Sequence, residues 1–453
     1  MSATTHEEVL KYLSTIPKGI TFIHGKAGSG KTTLIRKLES DMPGCQILAP
    51  TNFAAAIYRG ARTIHSFFNA SLDKLDEGYQ NPAELTFSKA EMCRAGLSGV
   101  RMLIIDEISM VRADLFEMIN AICQKAMHNE CPFGGIPVVV VGDLFQLPPI
   151  VSTDAVKDYL EKEYGGFYFF NSHIVQKEIS RIKLFELTKS FRQENDPEFV
   201  RILDAFRYPM TPQRKLQILN GINTRVTGNL PEDAVYVASS NEEVRRVNIS
   251  KLSGLPGPLT TIDAEYVIQK EDKSGYVNVR HSDLPVQEDI REIVLPSGYD
   301  SQLQFKVGAK VVFTKSSKFW GYVNGDMGTI LDFNGEYFTI RLNESGNVVR
   351  CPNPQDRYKS SQLTDYRYDM TYDEVNHKLV RVTPYVQRTT QFPIKLGYAF
   401  TIHKAQGQTY DKVIIDLASH IFAPGQLYVA LSRARSLDGL YLTRPVTYSD
   451  IIS

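Results

Sequence analysis

The fold of this chain is decided by residues 25–32, Gly-Lys-Ala-Gly-Ser-Gly-Lys-Thr, which form a G-x-x-x-x-G-K-T loop. The apolar run at 19–24 precedes the loop and predicts a short buried strand. Residues 31–39 follow it and predict a helix. Glycines let backbone N–H groups turn inward, and the N-terminus of the helix adds a positive partial charge. The pattern therefore predicts a phosphate-binding loop between a strand and a helix.

The loop residues are candidates for binding a nucleoside triphosphate. Lys31 would reach the β- and γ-phosphates, and the Thr32 hydroxyl would ligate Mg²⁺. The candidate nucleotide-binding residues in this segment are Gly25, Gly28, Ser29, Gly30, Lys31, Thr32 and Thr33.

Two further segments carry groups that suit hydrolysis. The run Ile-Ile-Asp-Glu at 104–107 ends in two carboxylates, of which Asp106 would hold the metal and Glu107 would polarise the attacking water. Gln146 follows another strand-like run and can hydrogen-bond both the γ-phosphate and that water. We therefore expect Lys31, Glu107 and Gln146 to be catalytic.

Composition excludes several classes of protein. At 453 residues the chain predicts two to four domains. Lys+Arg and Asp+Glu both number 51, so a nucleic-acid partner would need a local basic surface. The five cysteines form no C-x-x-C pair, so neither a zinc site nor a disulfide framework is indicated, and reduced thiols suit a cytoplasmic protein. No signal peptide and no apolar run of roughly 20 residues is found, so no membrane partner is expected.

Strand-like runs alternate with helical patterns in two parts of the chain, which predicts parallel α/β sheets. The later pattern includes 235–238, 413–417 and 439–442. Between its parts, residues 300–388 are rich in β-branched and aromatic residues and in turns, which favours an inserted antiparallel barrel. Residues 251–300 predict loops.

Taken as a set, these segments resemble a superfamily 1 helicase of the RecD-like branch. Further blocks that fit are APTN at 49–52, TIHSFF at 63–68, LTKSFRQ at 187–193, TIHKAQGQT at 401–409 and LYVALSRA at 427–434. The signature segment of the petite-integration-frequency (Pif) helicase family is similar to the stretch from DLFE at 114–117 through PFGG at 132–135.

The resemblance implies an α/β fold with two RecA-like parallel-sheet P-loop NTPase domains, a small wedge insertion and an inserted SH3-like β-barrel. The expected boundaries are 1–61 with 91–180 for the first domain, 62–90 for the wedge, 181–300 with 389–453 for the second domain, and 301–388 for the barrel.

The resemblance also assigns roles that spacing alone does not. Arg192 and Arg433 are implied as arginine fingers, so that the γ-phosphate would draw the two domains together. Gly407 is implied as a further nucleotide-binding residue. The implied DNA-binding residues are Thr51, Asn52, His65, Thr401, His403 and Lys404.

The function implied is an ATP-dependent DNA helicase that uses ATP and Mg²⁺. It would move 5′ to 3′ on single-stranded DNA, unwind forked or tailed duplex DNA and act as a monomer. One departure concerns the adenine-reading Gln of the family, because Glu8 stands near its expected position, which predicts looser base selectivity.

Other functions remain open at this point. One is a RecD-like translocase that displaces bound proteins, and another is a nucleic-acid-binding scaffold with a vestigial nucleotide site. A P-loop kinase or GTPase is disfavoured, because neither needs the blocks at 63–68 and 397–409.

Overall fold

The computed structural model describes residues 4–68, 93–151, 154–189, 191, 196–206, 211–272, 275–279, 302–317, 319–352, 370–373, 378–381, 385–418 and 423–450. The chain divides into two compact units. The first comprises Met1–Val244 with Ala399–Ser453, and the second is Arg245–Tyr398.

The described strands are numbered here in chain order. They are β1 (Ile20–Gly25), β2 (Cys45–Ala49), β3 (Arg62–Thr63), β4 (Met102–Ile105), β5 (Val138–Gly142), β6 (Lys183–Leu187), β7 (Val235–Ala238), β8 (Thr260–Asp263), β9 (Glu265–Asp272), β10 (Gly275–Val279), β11 (Gln302–Phe305), β12 (Lys310–Phe313), β13 (Met327–Phe333), β14 (Tyr337–Leu342), β15 (Val348–Pro352), β16 (Met370–Asp373), β17 (Lys378–Arg381), β18 (Tyr385–Thr390), β19 (Ile394–Leu396), β20 (Ala399–Thr401), β21 (Val413–Asp416) and β22 (Leu440–Leu442).

The described α-helices are numbered in the same way. They are α1 (His6–Leu13), α2 (Lys31–Asp41), α3 (Asn52–Ala56), α4 (Ile64–Phe68), α5 (Ala113–Met127), α6 (Asp154–Tyr164), α7 (His173–Glu178), α8 (Pro197–Ala205), α9 (Pro212–Asn223), α10 (Asn241–Ser253), α11 (Ile402–Ala405) and α12 (Gln426–Leu431).

The first unit contains two parallel sheets. One has the order β3-β2-β4-β5-β1-β6, and the other has the order β20-β7-β21-β22. Side chains alternate across the first sheet. Ile105 and Val140 pack on one face with residues of α5, whereas Ile104 and Val141 pack on the other face with residues of α2. The near-continuous apolar runs of β4 and β5 follow from this burial on both faces.

The second unit is built from antiparallel strands. Five described strands form a sheet in the order β15-β14-β13-β12-β19, and its core includes Phe305, Phe313, Phe338 and Phe392. A three-stranded sheet, β10-β9-β18, and the pairs β8–β11 and β16–β17 complete the strands described there. The predicted α/β class with parallel RecA-like sheets is therefore confirmed, while the SH3-like description of the barrel stays a prediction.

The strands depart from the predicted organisation in three places. Strand β6 pairs with β1 in the first sheet, although the boundary was predicted at residue 180. Strand β3 pairs with β2, and Phe68 is buried in the core of the first sheet, so the segment predicted as a wedge at 62–90 begins with residues of that sheet. Residues 251–300 were predicted as loops, yet they contain β8, β9 and β10. Short strands can join either neighbouring sheet, and the local pattern does not say which.

Among the described residues, none of the helices combines the length and the apolar character needed to cross a bilayer. The rest of the predicted wedge, residues 69–90, lies outside the described residues.

Candidate nucleotide site and nucleic-acid track

A cavity of about 270 Å³ lies where the two parallel sheets of the first unit approach each other. Its wall includes the loop after β1, the end of β4 and the loop after β5. From the side of the second sheet, the segments after α11 and α12 contribute Gly407 and Arg433. The lining residues are Ala27, Gly28, Ser29, Gly30, Lys31, Thr32, Thr33, Glu107, Gln146, Phe191, Gly407 and Arg433. Nucleotide-binding and catalytic candidates predicted from segments as far apart in sequence as Gly28 and Arg433 therefore face one cavity.

The glycine loop is shaped by positive backbone angles and close packing. Gly28 and Gly30 have φ values of 77° and 81°, which favour glycine. A Cβ at Gly30 would lie 2.5 Å from His6 Cε1, and a Cβ at Gly25 would lie 2.5 Å from Ser29 Oγ. Lys31 begins α2, and its Nζ donates to the carbonyls of Gly25 (2.6 Å) and Lys26 (3.0 Å). The ammonium is thus held inside the loop, beside the N-terminus of α2.

The Asp106 carboxylate is held by two donors at the end of β4. The Tyr58 hydroxyl donates to Oδ2 at 2.5 Å, and the Glu107 N–H donates to Oδ1 at 2.8 Å. Only 4% of Asp106 is exposed. Burial, and next the nearby Glu107 carboxylate, raise the pKa of Asp106 to about 7. A carboxylate in this environment gains from a nearby cation, and together with the Thr32 hydroxyl it offers the hard oxygen ligands that suit Mg²⁺.

The Glu107 side chain is aimed by an unusual backbone conformation. Glu107 has φ 51° and ψ 44°, in the left-handed region that non-glycine residues rarely adopt. Its Oε2 accepts a hydrogen bond of 2.9 Å from Gln406 Nε2, which comes from the segment after α11. Both residues are buried. This hydrogen bond joins the first sheet directly to the second.

A second connection between the sheets runs through Tyr428 on α12. Its hydroxyl accepts the N–H of Ala27 in the glycine loop (3.0 Å) and donates to Asp143 Oδ2 (3.0 Å). Gln146 Nε2 lies 3.5 Å from the same carboxylate oxygen, at the limit of a hydrogen bond. The glycine loop, the Gln146 loop and α12 therefore share one buried polar network.

Arg433 lines the cavity from the side of the second sheet, and its buried guanidinium is held by backbone carbonyls. Its Nε donates to Val429 O (2.8 Å), and Nη1 donates to Ala405 O (3.2 Å) and Gln408 O (2.9 Å). Burial lowers the pKa of Arg433, and the Glu107 carboxylate is the largest influence that raises it. The other predicted finger, Arg192, lies outside the described residues.

The predicted nucleic-acid contacts from the two sheets lie near each other. Thr51 lies two residues after β2 and Thr401 is the last residue of β20, and each caps a short helix, because their hydroxyls accept the N–H groups of Ala54 and Lys404. Phe53 lies two residues after Thr51, and Phe400 directly precedes Thr401. The ring centroids of these two phenylalanines are 6.3 Å apart. The structure thus brings the two segments together at one end of the cleft.

The remaining predicted contacts occupy less uniform positions. His65 on α4 and His403 on α11 are half-buried, and burial lowers the pKa of His403. Lys404 is exposed, and the side chain of Asn52 lies outside the described part of the structure.

Sequence reasoning missed four residues that shape the site: His6, Tyr58, Gln406 and Tyr428. Glu8, which stands near the expected position of the adenine-reading Gln, turns its carboxylate back to the Thr5 N–H (2.8 Å) in an exposed capping box. His6 reaches the glycine loop instead, with Nε2 3.1 Å from Ser29 O. Gln406 and Tyr428 lie within the blocks that resemble helicase motifs, at 401–409 and 427–434, and this location is the sequence signal that could have identified them. Tyr58 and His6 had none.

Comparisons with known proteins agree with this arrangement. A family model described as PIF1-like helicase matches residues 4–204, and one described as UvrD-like helicase C-terminal domain matches residues 396–441. The ATP-dependent DNA helicase Pif1 of Campylobacter jejuni is 31% identical over 94% of this chain and 90% of its own length. The corresponding human helicase is 28% identical over 96% of this chain and 60% of its own length.

Solved structures give the same result. The crystal structure of Bacteroides Pif1 bound to ssDNA has a TM-score of 0.74 and 30% identity, and the match covers 100% of this chain and 95% of that one. The Bacteroides Pif1 complex with ADP-AlF3 and ssDNA has a TM-score of 0.74 and 29% identity, over 100% and 95% of the two chains. The family predicted from the motifs is confirmed: the chain belongs to the PIF1-like helicases.

Proposed function

We propose that this chain is an ATP-dependent DNA helicase that moves 5′ to 3′ along single-stranded DNA and unwinds duplex. The observation that carries the proposal is that one cavity is lined by Lys31, Glu107 and Gln146 from one sheet and Arg433 from the other. A site divided in this way changes when the terminal phosphate is lost, so that hydrolysis can move one sheet against the other.

The cavity residues divide the work of hydrolysis. Lys31 and the N–H groups of the glycine loop bind the phosphates, and Arg433 stabilises the charge that develops on the transferred group. Glu107, held by Gln406, orients and polarises the attacking water. Gln146 contacts that water and, through Asp143, the network of Tyr428. Arg192 is proposed as the second finger from its motif.

Mg²⁺ would be held by Thr32 and Asp106 together with the phosphates of ATP. When bound, it neutralises phosphate charge as a Lewis acid. Among the described residues no group of three or more His, Cys, Asp or Glu side chains could hold a metal. One carboxylate and one hydroxyl suit Mg²⁺, which commonly keeps waters and substrate phosphates as its other ligands.

The nucleic-acid track is proposed along the pair of segments that meet at Phe53 and Phe400. Its residues would be Thr51, Asn52, His65, Thr401, His403 and Lys404. The partners would be single-stranded DNA and forked or tailed duplex DNA. The relatives with DNA named in their descriptions and the threonine caps of both sheets support this assignment.

The remaining proposals concern organisation. We propose two RecA-like domains, with β6 assigned to the first, and an SH3-like barrel within Arg245–Tyr398. The wedge predicted at 62–90, of which 69–90 lie outside the described residues, a monomeric active form and a cytoplasmic location remain predictions.

The test is unwinding of 5′-tailed against 3′-tailed duplexes with ATP and Mg²⁺. We expect strand separation of the 5′-tailed substrate only, and none with Lys31→Ala. Efficient movement on single strands without separation of a forked duplex would favour a translocase that displaces proteins. ATP hydrolysis that does not respond to single-stranded DNA would exclude both.

A further inference from the structure

Tyr58 lies between the predicted nucleic-acid segment and the predicted metal ligand. It follows α3, the helix that Thr51 caps, by two residues. Only 5% of Tyr58 is exposed, and its hydroxyl donates to Asp106 Oδ2 at 2.5 Å. A hydrogen bond from a neutral donor to a carboxylate at this distance is of the stronger, charge-assisted kind.

The segment 51–58 is also anchored along its length. Arg36 on α2 donates from Nε and Nη2 to the carbonyl of Ile57 (3.3 and 3.1 Å). The Ile57 side chain lies against Gly407, since a Cβ added there would be 3.5 Å from Ile57 Cδ1. One short segment therefore contacts the helix of the glycine loop, the second sheet and the carboxylate of Asp106.

We propose that Tyr58 is a positioning residue that couples strand binding at Thr51 to the binding of Mg²⁺ and nucleotide at Asp106. This inference rests on the proposed function. A DNA strand bound at Thr51 would shift the segment 51–58, which has only eight residues. Tyr58, at the far end of this segment, positions Oδ2 of Asp106 through its hydrogen bond. Groups that hydrogen-bond a metal ligand commonly fix its orientation, and removing them weakens metal binding.

A merely structural role would give a different result. If Tyr58 only stabilised the fold, loss of its buried hydroxyl would lower the stability of the chain. The effect of DNA on nucleotide affinity, and of nucleotide on DNA affinity, would then stay unchanged. Coupling is reciprocal, so DNA must change nucleotide affinity by the same factor by which nucleotide changes DNA affinity. That factor is the quantity to measure.

The experiment uses the full chain and compares Tyr58→Phe with Tyr12→Phe. Tyr12 packs in the same apolar cluster, with its ring 5.2 Å from that of Phe185. Affinity for fluorescently labelled single-stranded DNA is measured by anisotropy with and without Mg²⁺ and ADP. Affinity for a fluorescent ADP analogue is measured with and without DNA, over a series of Mg²⁺ concentrations.

We expect the coupling factor to fall at least about fivefold in Tyr58→Phe, within the usual range for coupled sites. The Mg²⁺ concentration needed for nucleotide binding should also rise, while Tyr12→Phe retains the coupling of the native chain. Arg36→Ala releases Ile57 at an exposed position and should weaken coupling in the same direction, so it decides the question if Tyr58→Phe does not fold.

Unchanged coupling in Tyr58→Phe, or in Arg36→Ala where that variant decides, overturns the inference. A native chain without coupling does so as well. Unwinding of tailed duplexes is assayed in parallel. If the native chain unwinds the duplexes and Tyr58→Phe keeps full coupling, this inference alone is contradicted. If the native chain neither hydrolyses ATP nor unwinds the duplexes, the proposed function is contradicted.

Discussion

Replacing Tyr428 by Phe removes one oxygen from the connection between the two sheets. That hydroxyl is the partner of the Ala27 N–H in the glycine loop and of the buried Asp143 carboxylate. Tyr428 is 2% exposed, so water does not replace the lost contacts in the closed cleft. When the cleft opens, water can reach both groups. The substitution therefore acts against closure more than against the fold of either sheet.

The magnitude follows from the two groups left behind. A buried polar group without its partner costs about 1–3 kcal/mol. Asp143 keeps the N–H of Phe145 (3.2 Å) and the marginal contact with Gln146, so its share lies near the lower limit. With about 1–2 kcal/mol for Ala27, closure is weakened by about 2–3 kcal/mol. Since each 1.4 kcal/mol is a factor of ten, this is about 30- to 150-fold.

The assay is DNA-stimulated phosphate release at saturating ATP, with nucleotide affinity measured separately. We expect kcat to fall by at least about tenfold, with a smaller loss of affinity, because the glycine loop keeps its own phosphate contacts. Tyr441→Phe is the matched control, since Tyr441 lies on β22 of the same sheet and is only half-buried. A rate within about threefold of that control would refute the closure argument.

Three further predictions concern buried carboxylates. Glu107→Gln should lower ATP hydrolysis at least about 100-fold and keep nucleotide binding, as measured by phosphate release and fluorescence titration; a normal rate would remove it as the water activator. Because the pKa of Asp106 is raised from an ordinary 3.8 to about 7, the folded chain holds a proton that the unfolded chain releases. The contribution of Asp106 to stability is therefore present below pH about 4 and is lost as pH rises through about 7. The melting temperature without divalent cations should fall across this window. Asp106→Asn should flatten the dependence of the melting temperature on pH. Asp114→Ala should destabilise the first sheet by about 3–5 kcal/mol in thermal melting. The reason is that it removes the carboxylate paired with the Arg112 guanidinium, a residue that is only 3% exposed. Replacing both Arg112 and Asp114 by Leu should recover most of the loss.

Local patterns were sufficient to predict much of the fold. Strands β1, β7, β21 and β22 lie within one or two residues of their predicted positions, because buried parallel strands are continuous apolar runs bounded by turn residues. The glycine loop is equally local, since its glycines and the start of α2 are contiguous in the chain. The prediction of the family needed only the order of such segments.

Assignments that depend on distant pairing were less accurate. The short strand β6 joins the first sheet, and its alternating pattern would have suited an edge of either sheet. Distance along the chain to the glycine loop predicts Glu8 at the base-reading position, yet the capping box directs Glu8 outward and His6 reaches the loop. His6 and Glu8 are two residues apart on α1, and at 3.6 residues per turn such neighbours point to nearly opposite sides of the helix.

By itself, the sequence determined that a phosphate loop, a carboxylate pair and a set of motif segments exist, because each is a short run whose chemistry depends on adjacent residues. Only the tertiary structure decided that Glu107 bonds to Gln406, 299 residues away, that Tyr428 joins the glycine loop to Asp143, and that Tyr58 holds Asp106. These contacts depend on side-chain directions set by packing and by one left-handed backbone residue. The contacts of Gln406 and Tyr428 form only when the two sheets have met, and that of Tyr58 only when the segment after β2 packs beside β4, so no local pattern specifies them.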